Sequence, residues 1–188
     1  DDKVLVVVNG EIKKTNVDNI GVRELESSAT VSLTTVLKDG WEAMTGLDTA
    51  KTYRGVAYGN DRYVCVGNSG GSAYSTDGVT WQAMTGLDTS RIYFGVTYGN
   101  DRFVCVGNNG SSYYSTNGVT WQAMSGLDTS RAYYGVAYGN GGFVCVGSSG
   151  SSSYSTDGLT WQAINGLDTS KIHRAVTYGT EFVCVGYS

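Results

Sequence analysis

YSTNGVTWQAMSGLDTS (residues 114–130) is written twice more with few changes, as YSTDGVTWQAMTGLDTS (74–90) and YSTDGLTWQAINGLDTS (154–170). Its second half also opens the series as WEAMTGLDTA (41–50), so that Trp41, Trp81, Trp121 and Trp161 recur every 40 residues. A period of that length, with strand-like runs between turns rich in Gly and Asn, predicts the four-stranded blades of a β-propeller. Within one period the pattern predicts strands over 54–59, 62–68, 71–76 and 79–84. The turns between them are GND, NSG and DG, with Gly and Asn where positive φ is needed. TGLDTS is too long for a hairpin turn and is read as the crossing from the outer edge of one blade to the inner strand of the next. A helical solenoid of the same period is excluded, because no ten-residue segment keeps a 3.6-residue spacing and Gly recurs too often for helix interiors.

The last repeat stops at VCVGYS after two strands, whereas the first begins with the fourth strand at Trp41. If VSLTTV (Val31 to Val36) supplies the third, the two chain ends complete one blade and close a four-bladed ring with no unpaired edge at the seam. The alternative is that two or more chains, or a longer parent chain, close a bigger ring. The fold class expected is therefore all-β, a small propeller over residues 31–188. Residues 1–30 follow another pattern: VLVVVNGEIKKTNV predicts a hairpin turning at Asn9 and Gly10, and DNIGVRELESS a short helix capped by Asp18 or Asn19. This segment is expected to serve attachment or oligomerisation, with a trimer favoured. The opening Asp-Asp-Lys, without Met, suggests a fragment or a processed product.

The 188 residues include 27 Gly, 14 Tyr and no Pro, a composition that favours strands and tight turns. Net charge is −4 and there is no basic run, so the phosphate-neutralising patch that nucleic-acid binding requires is missing. No apolar run approaches the roughly 20 residues that span a bilayer, which excludes membrane insertion by a helix. Cys65, Cys105, Cys145 and Cys184 occupy the same place in four copies of one phrase, as in FVCVG. Equivalent positions lie about one repeat apart, beyond the ~7 Å Cα separation a disulfide spans, so four free, buried thiols are expected. Without a CxxC pair no metal site is read, and no cofactor is implied.

STDGVTW (Ser75 to Trp81), STNGVTW (Ser115 to Trp121) and STDGLTW (Ser155 to Trp161) resemble the Asp-box of sialidase-like (BNR-type) propellers in its shortened form. The phrase FVCVGNNGSSYYSTNGVTW resembles repeats of bacteriophage tail-fibre, receptor-binding and virion-surface proteins. This likeness covers residues 41–188. It implies that the box is a folding device between the third and fourth strands: Asp77, Asn117 and Asp157 bond local backbone, while Trp81, Trp121 and Trp161 pack between blades. Before Trp41 the text is LKDGW, which keeps Asp39 and Gly40 and loses the Ser. The opening VLVVVNGEIKKTNVDNIG resembles the hairpin modules that precede head or tail domains of phage fibres.

A retaining sialidase, which this fold also resembles, needs three converging arginines, a Tyr nucleophile paired with Glu, and an acid–base Asp. Here Arg62 and Arg102 become Gly142, Arg91 and Arg131 become Lys51 and Lys171, and the repeats carry only Glu42 and Glu181. The lone His173 has no Ser or Cys nucleophile on a strained turn to serve. The expectation is that the protein is not an enzyme. The turn after the second strand and the crossing share one face, where the repeats differ most. There Tyr53, Arg54, Tyr93, Phe94, Tyr133, Tyr134, His173 and Arg174 lie beside NSGGSA, NNGSSY and SSGSSS, and rings flanked by Asn, Ser and Arg suit sugars. The same rings could instead plug the mouth of a narrow ring. Tyr58, Tyr98, Tyr138 and Tyr178 recur unchanged and are read as scaffold; Asp48, Asp88, Asp128 and Asp168 are read as caps of the crossing turn.

The function expected is a non-catalytic phage virion protein, made in the host bacterial cytoplasm and displayed at the virion surface as a tail or head fibre or decoration. It would bind cell-surface glycans and hold other virion proteins through its N-terminal segment. The alternatives are a purely structural decoration protein and a bacterial lectin-like propeller.

Overall fold

A computed structural model describes residues 3–8, 11–16 and 43–187. The chain divides into two compact units, Asp1–Glu42 and Ala43–Ser188. In the first, β1 (Lys3–Val8) and β2 (Glu11–Asn16) pair antiparallel with Val8 opposite Glu11, as the hairpin expectation requires. The turn residues Asn9 and Gly10, the helix expected near Asp18 and the closing strand expected at Val31 to Val36 lie outside the described residues.

The second unit is a series of antiparallel blades. Blade 1 holds β3 (Tyr53–Gly59), β4 (Arg62–Gly67), β5 (Ser72–Ser75) and β6 (Gln82–Ala83). Blade 2 repeats it as β7 (Tyr93–Gly99), β8 (Arg102–Gly107), β9 (Ser112–Ser115) and β10 (Gln122–Ala123). Blade 3 follows as β11 (Tyr133–Gly139), β12 (Gly142–Gly147), β13 (Ser152–Ser155) and β14 (Gln162–Ala163). Blade 4 contributes β15 (Ile172–Tyr178) and β16 (Phe182–Tyr187). The four inner strands β3, β7, β11 and β15 pack side by side in chain order.

The turns form where the residue types allow positive φ. Asn60 and Asp61 both have positive φ (45° and 52°), the type I′ signature that matches strand twist. Expected and observed strands agree closely for the first three of blades 1 to 3. The fourth is shorter than expected, two residues instead of six, because its first half is drawn elsewhere. Thr45 N–H donates to the Val79 carbonyl and Trp81 N–H to the Thr45 carbonyl, so this stretch pairs in parallel with the incoming crossing. The same bridge recurs at Thr85–Thr120 and Ser125–Thr160, stitching blade 1 to blade 2 and blade 2 to blade 3 through backbone.

Packing is interblade as much as intrablade. Val64 and Val66 of blade 1 are fully buried with Val96, Phe103, Cys105 and Trp121 of blade 2, and Val104 and Val106 repeat this against Val136, Phe143, Cys145 and Trp161. Trp121 Nε1 donates to Met84 Sδ across the junction (3.1 Å), and Trp161 Nε1 to Met124 Sδ (3.4 Å). Tyr98, Tyr138 and Tyr178 act as scaffold: a Cβ on Gly59, Gly99 or Gly139 would sit 2.0 Å from the ring Cγ of Tyr98, Tyr138 or Tyr178 of the following blade, whereas Tyr58 is exposed. All four thiols are free; Cys65, Cys105 and Cys145 are buried and Cys184 is half-buried. Burial pushes the Cys65 thiol up to about 11 and those of Cys105 and Cys145 higher still, which makes them inert small hydrophobes.

Candidate functional site

Strand order fixes which loops share a face. Asn60 Nδ2 reaches the Thr116 carbonyl and an Arg62 Nη the Asn117 carbonyl, so the turn after the first strand meets the next blade's Ser-x-Asp turn. On the opposite face the turn after the second strand bonds the crossing. Ser69 N–H donates to the Arg91 carbonyl, Gly110 N–H to that of Arg131 and Gly150 N–H to that of Lys171. The variable residues lie at this second face.

A bulge in each inner strand then selects one residue per blade. In blade 2 Tyr93 opposes Gly107 and Gly95 opposes Val106, which leaves Phe94 as the extra residue without a cross-strand partner. The same shift singles out Arg54, Tyr134 and Arg174. Bulges re-aim the side chain they release, and here the four released side chains stack on one another. The Arg54 guanidinium lies 5.5 Å from the Phe94 centroid, Phe94 and Tyr134 are 4.9 Å apart, and Arg174 lies 4.1 Å from the Tyr134 ring. The result is a ladder across four blades, cationic at both ends and aromatic in the middle, with Arg54 and Arg174 exposed and the two rings half-buried. Arg54 Nε donates to Asn68 Oδ1, and Arg174 Nη2 donates to the Tyr187 hydroxyl (2.7 Å), which raises the guanidinium's already high pKa. Tyr187 is the member that sequence reasoning missed. It stands where blades 1 and 2 carry Asn68 and Asn108, immediately after the VCVG phrase, and that alignment was the available signal.

The other candidate residues point elsewhere. Tyr93 and Tyr133 are 1% and 2% exposed. Their hydroxyls accept the backbone N–H of Asp88 (3.1 Å) and Asp128 (3.3 Å), so these two buried rings anchor the crossing; Tyr53 makes the same bond to Asp48 (3.2 Å) and is half-buried. His173 replaces that tyrosine in blade 4; it is half-buried, and its Nδ1 has no partner among the described residues. The aspartates of the crossing cap it: Asp48, Asp88, Asp128 and Asp168 each accept the backbone N–H two residues on, all at 2.9 Å.

The Ser-x-Asp-Gly turns are built from one buried hydroxyl and one oxygen. Ser75 Oγ donates to Asp77 Oδ1 (2.8 Å) and accepts the Gly78 N–H (2.9 Å), while Asp77 Oδ1 accepts from Val79 and Thr80 (2.8 and 2.7 Å). Bonds from the backbone of Thr80 and Val79, and from Ser75, hold the Asp77 carboxyl well below the usual carboxylate range. Ser155 and Asp157 repeat the arrangement, and Asn117 Oδ1 accepts the Val119 and Thr120 N–H groups at 2.9 Å without a charge. Asp77→Asn keeps the accepted N–H bonds, as Asn117 does, and loses the charge that the turn favours, so the urea midpoint at neutral pH falls slightly and the difference from wild type vanishes as Asp77 is protonated in acid. Ser115→Ala, which strands the buried Gly118 N–H now bonded at 2.8 Å, lowers stability by about 1–3 kcal/mol.

No protein-family model and no curated sequence matches the chain. Solved structures do. The chain is similar to YCF48 bound to D1 peptide (20% identity, TM-score 0.60, 74% of this chain and 50% of that one). It is similar to the computationally designed Ika4 protein (16%, TM-score 0.60, 78% and 92%) and to an ancestral GH74 enzyme (17%, TM-score 0.55, 74% and 22%). By fold the chain is a β-propeller. It spans half the length of the YCF48 chain and about a fifth of the GH74 chain.

Proposed function

We propose that this propeller is a non-catalytic adhesion module of a bacteriophage particle, a tail-fibre or head-fibre protein that binds cell-surface glycans through the bulge ladder. The observation that carries this reading is the stack Arg54–Phe94–Tyr134–Arg174, in which every blade places its one released side chain on one line at the variable face. The rings hold the two guanidiniums in place, and the guanidiniums bind hydroxyl or carboxylate oxygens beside the half-buried ring edges. The phage setting is supported by the repeat phrase, and we read its Ser-x-Asp-Gly turns as shortened Asp-boxes. Residues 1–30 provide the attachment to other virion proteins and the particle surface is the site of action.

The test is a glycan array followed by affinity measurements on the best hit. Phe94→Ala and Tyr134→Ala each weaken binding at least tenfold while the far-UV spectrum is kept. Tyr93→Ala and Tyr133→Ala are unsuitable, since they remove buried anchors. A blank array from a protein that still incorporates into particles assigns it to structural decoration instead.

A further inference from the structure

The junction between successive blades is built from two surfaces, and each of these surfaces is left open once. At the first two junctions Val64, Val66, Val104 and Val106 are fully buried, and the valines they meet, Val96 and Val136, are 9% exposed. Their equivalents at the ends of the array are open: Val56 on blade 1 is 65% exposed, and Val183 and Val185 on blade 4 are 58% and 61% exposed. The glycine–tyrosine contact is unfilled in the same two places. Tyr98, Tyr138 and Tyr178 each lie on a glycine of the preceding blade, whereas a Cβ on Gly179 of blade 4 meets nothing within 4 Å among the described residues and Tyr58 of blade 1 is 56% exposed.

We propose that blade 4 of one chain docks onto blade 1 of a second copy, and reciprocally, so that two chains close a single ring. The occupant of each open face is specified by the junctions inside the chain. Val183 and Val185 take a valine at the position of Val96 and Val136, which is Val56, and Gly179 takes a tyrosine at the position of Tyr98 and Tyr138, which is Tyr58. A contact of one surface with a different one is heterologous and closes only at a fixed number of copies. The chain superposes on half of the longer YCF48 chain, which fits an arc of about half a ring. Each seam also needs an outer strand. A cavity of about 230 Å³ lined by Val144, Val146, Val176, Phe182 and Cys184 lies where Trp121 and Trp161 sit at the other junctions. One feature opposes the seam: Arg174 becomes the neighbour of Arg54 of the second copy, so association tightens as salt screens the pair.

Native mass spectrometry and light scattering on the full chain read the outcome directly. The expected mass is twice the 20.0 kDa of one chain, and it persists at high salt. Val56→Lys and Val183→Lys, both at exposed positions, each give a folded monomer alone. Mixed in equal amounts they form a one-to-one pair, because the intact blade 4 of the first meets the intact blade 1 of the second. A wild-type monomer, which would signal closure within one chain, overturns the proposal, as does a trimer or an open polymer. So does a Val183→Lys protein that stays dimeric, dissociation of the wild type on adding salt, or failure of the two variants to pair.

Discussion

Alanine in place of Phe103 lowers the free energy of unfolding by ~3–5 kcal/mol, as expected for truncating a large ring in a packed interior. The ring is 0% exposed. It lies 4.7 Å from the Tyr98 ring within its blade and 6.4 Å from that of Trp121, and it shares a cluster with Val64 and Val66 of the preceding blade. One truncation therefore loosens a blade and its junction together. In an array whose stability is a sum of unit and neighbour terms, both fall at once. In the Val56→Lys background, which keeps blade 4 uncovered, Phe182→Ala at the half-buried equivalent costs less than half as much as Phe103→Ala does there. Urea unfolding of Val56→Lys and its two alanine derivatives side by side checks the order; equal midpoints for the two derivatives would refute the account of interblade packing.

Gly107→Ala is expected to cost about 3 kcal/mol although it adds a single methyl, the upper range for overfilling a close contact. Its φ of −159° is extended backbone that any residue adopts, so conformational freedom is not the reason for glycine here. The reason is distance: a Cβ would stand 2.0 Å from the Ile92 carbonyl oxygen. Gly67, Gly147 and Gly186 meet the carbonyls of Thr52, Ala132 and Ile172 at 1.9, 1.9 and 1.8 Å in the same way. Relieving the clash forces β7 and β8 apart beside the bulge and weakens the 3.0 Å bond from Asn108 N–H to the Ile92 carbonyl. Gly141→Ala is the control for lost glycine without a clash, since nothing among the described residues lies within 4 Å of its Cβ position, and it changes stability only through its positive φ of 76°. Hydrogen exchange at the amides of β7 and β8 distinguishes the two, rising only in Gly107→Ala.

The blade architecture was legible because its determinants are local. Alternation within 54–59 or 62–68, and Asn, Asp or Gly where φ is positive, are properties of a few consecutive residues, and the structure places strands and turns there. The shortness of the fourth strand was not legible, since Val79 and Trp81 pair with Thr45 of the preceding repeat and no local pattern records that. The candidate site was half legible. Repeat variation led to the pairs Tyr53-Arg54, Tyr93-Phe94, Tyr133-Tyr134 and His173-Arg174, but simple alternation does not say which member of a pair turns inward. The bulge decides it, sending Tyr93 and Tyr133 into the core and Phe94 and Tyr134 to the ladder. Tyr187 was passed over because it stands at the edge of the repeated phrase, where the last copy departs from Asn68 and Asn108.

Backbone bridges and valine contacts that recur from one blade to the next make the units interchangeable cassettes. Splicing out residues 85–124 joins Met84 to Ser125 and restores the text QAMSGLDTS without a scar. Val64 and Val66 would then face Val136 in place of Val96, a like-for-like exchange. A chain of this kind changes girth by whole steps, gaining or shedding a unit without having to invent a new contact.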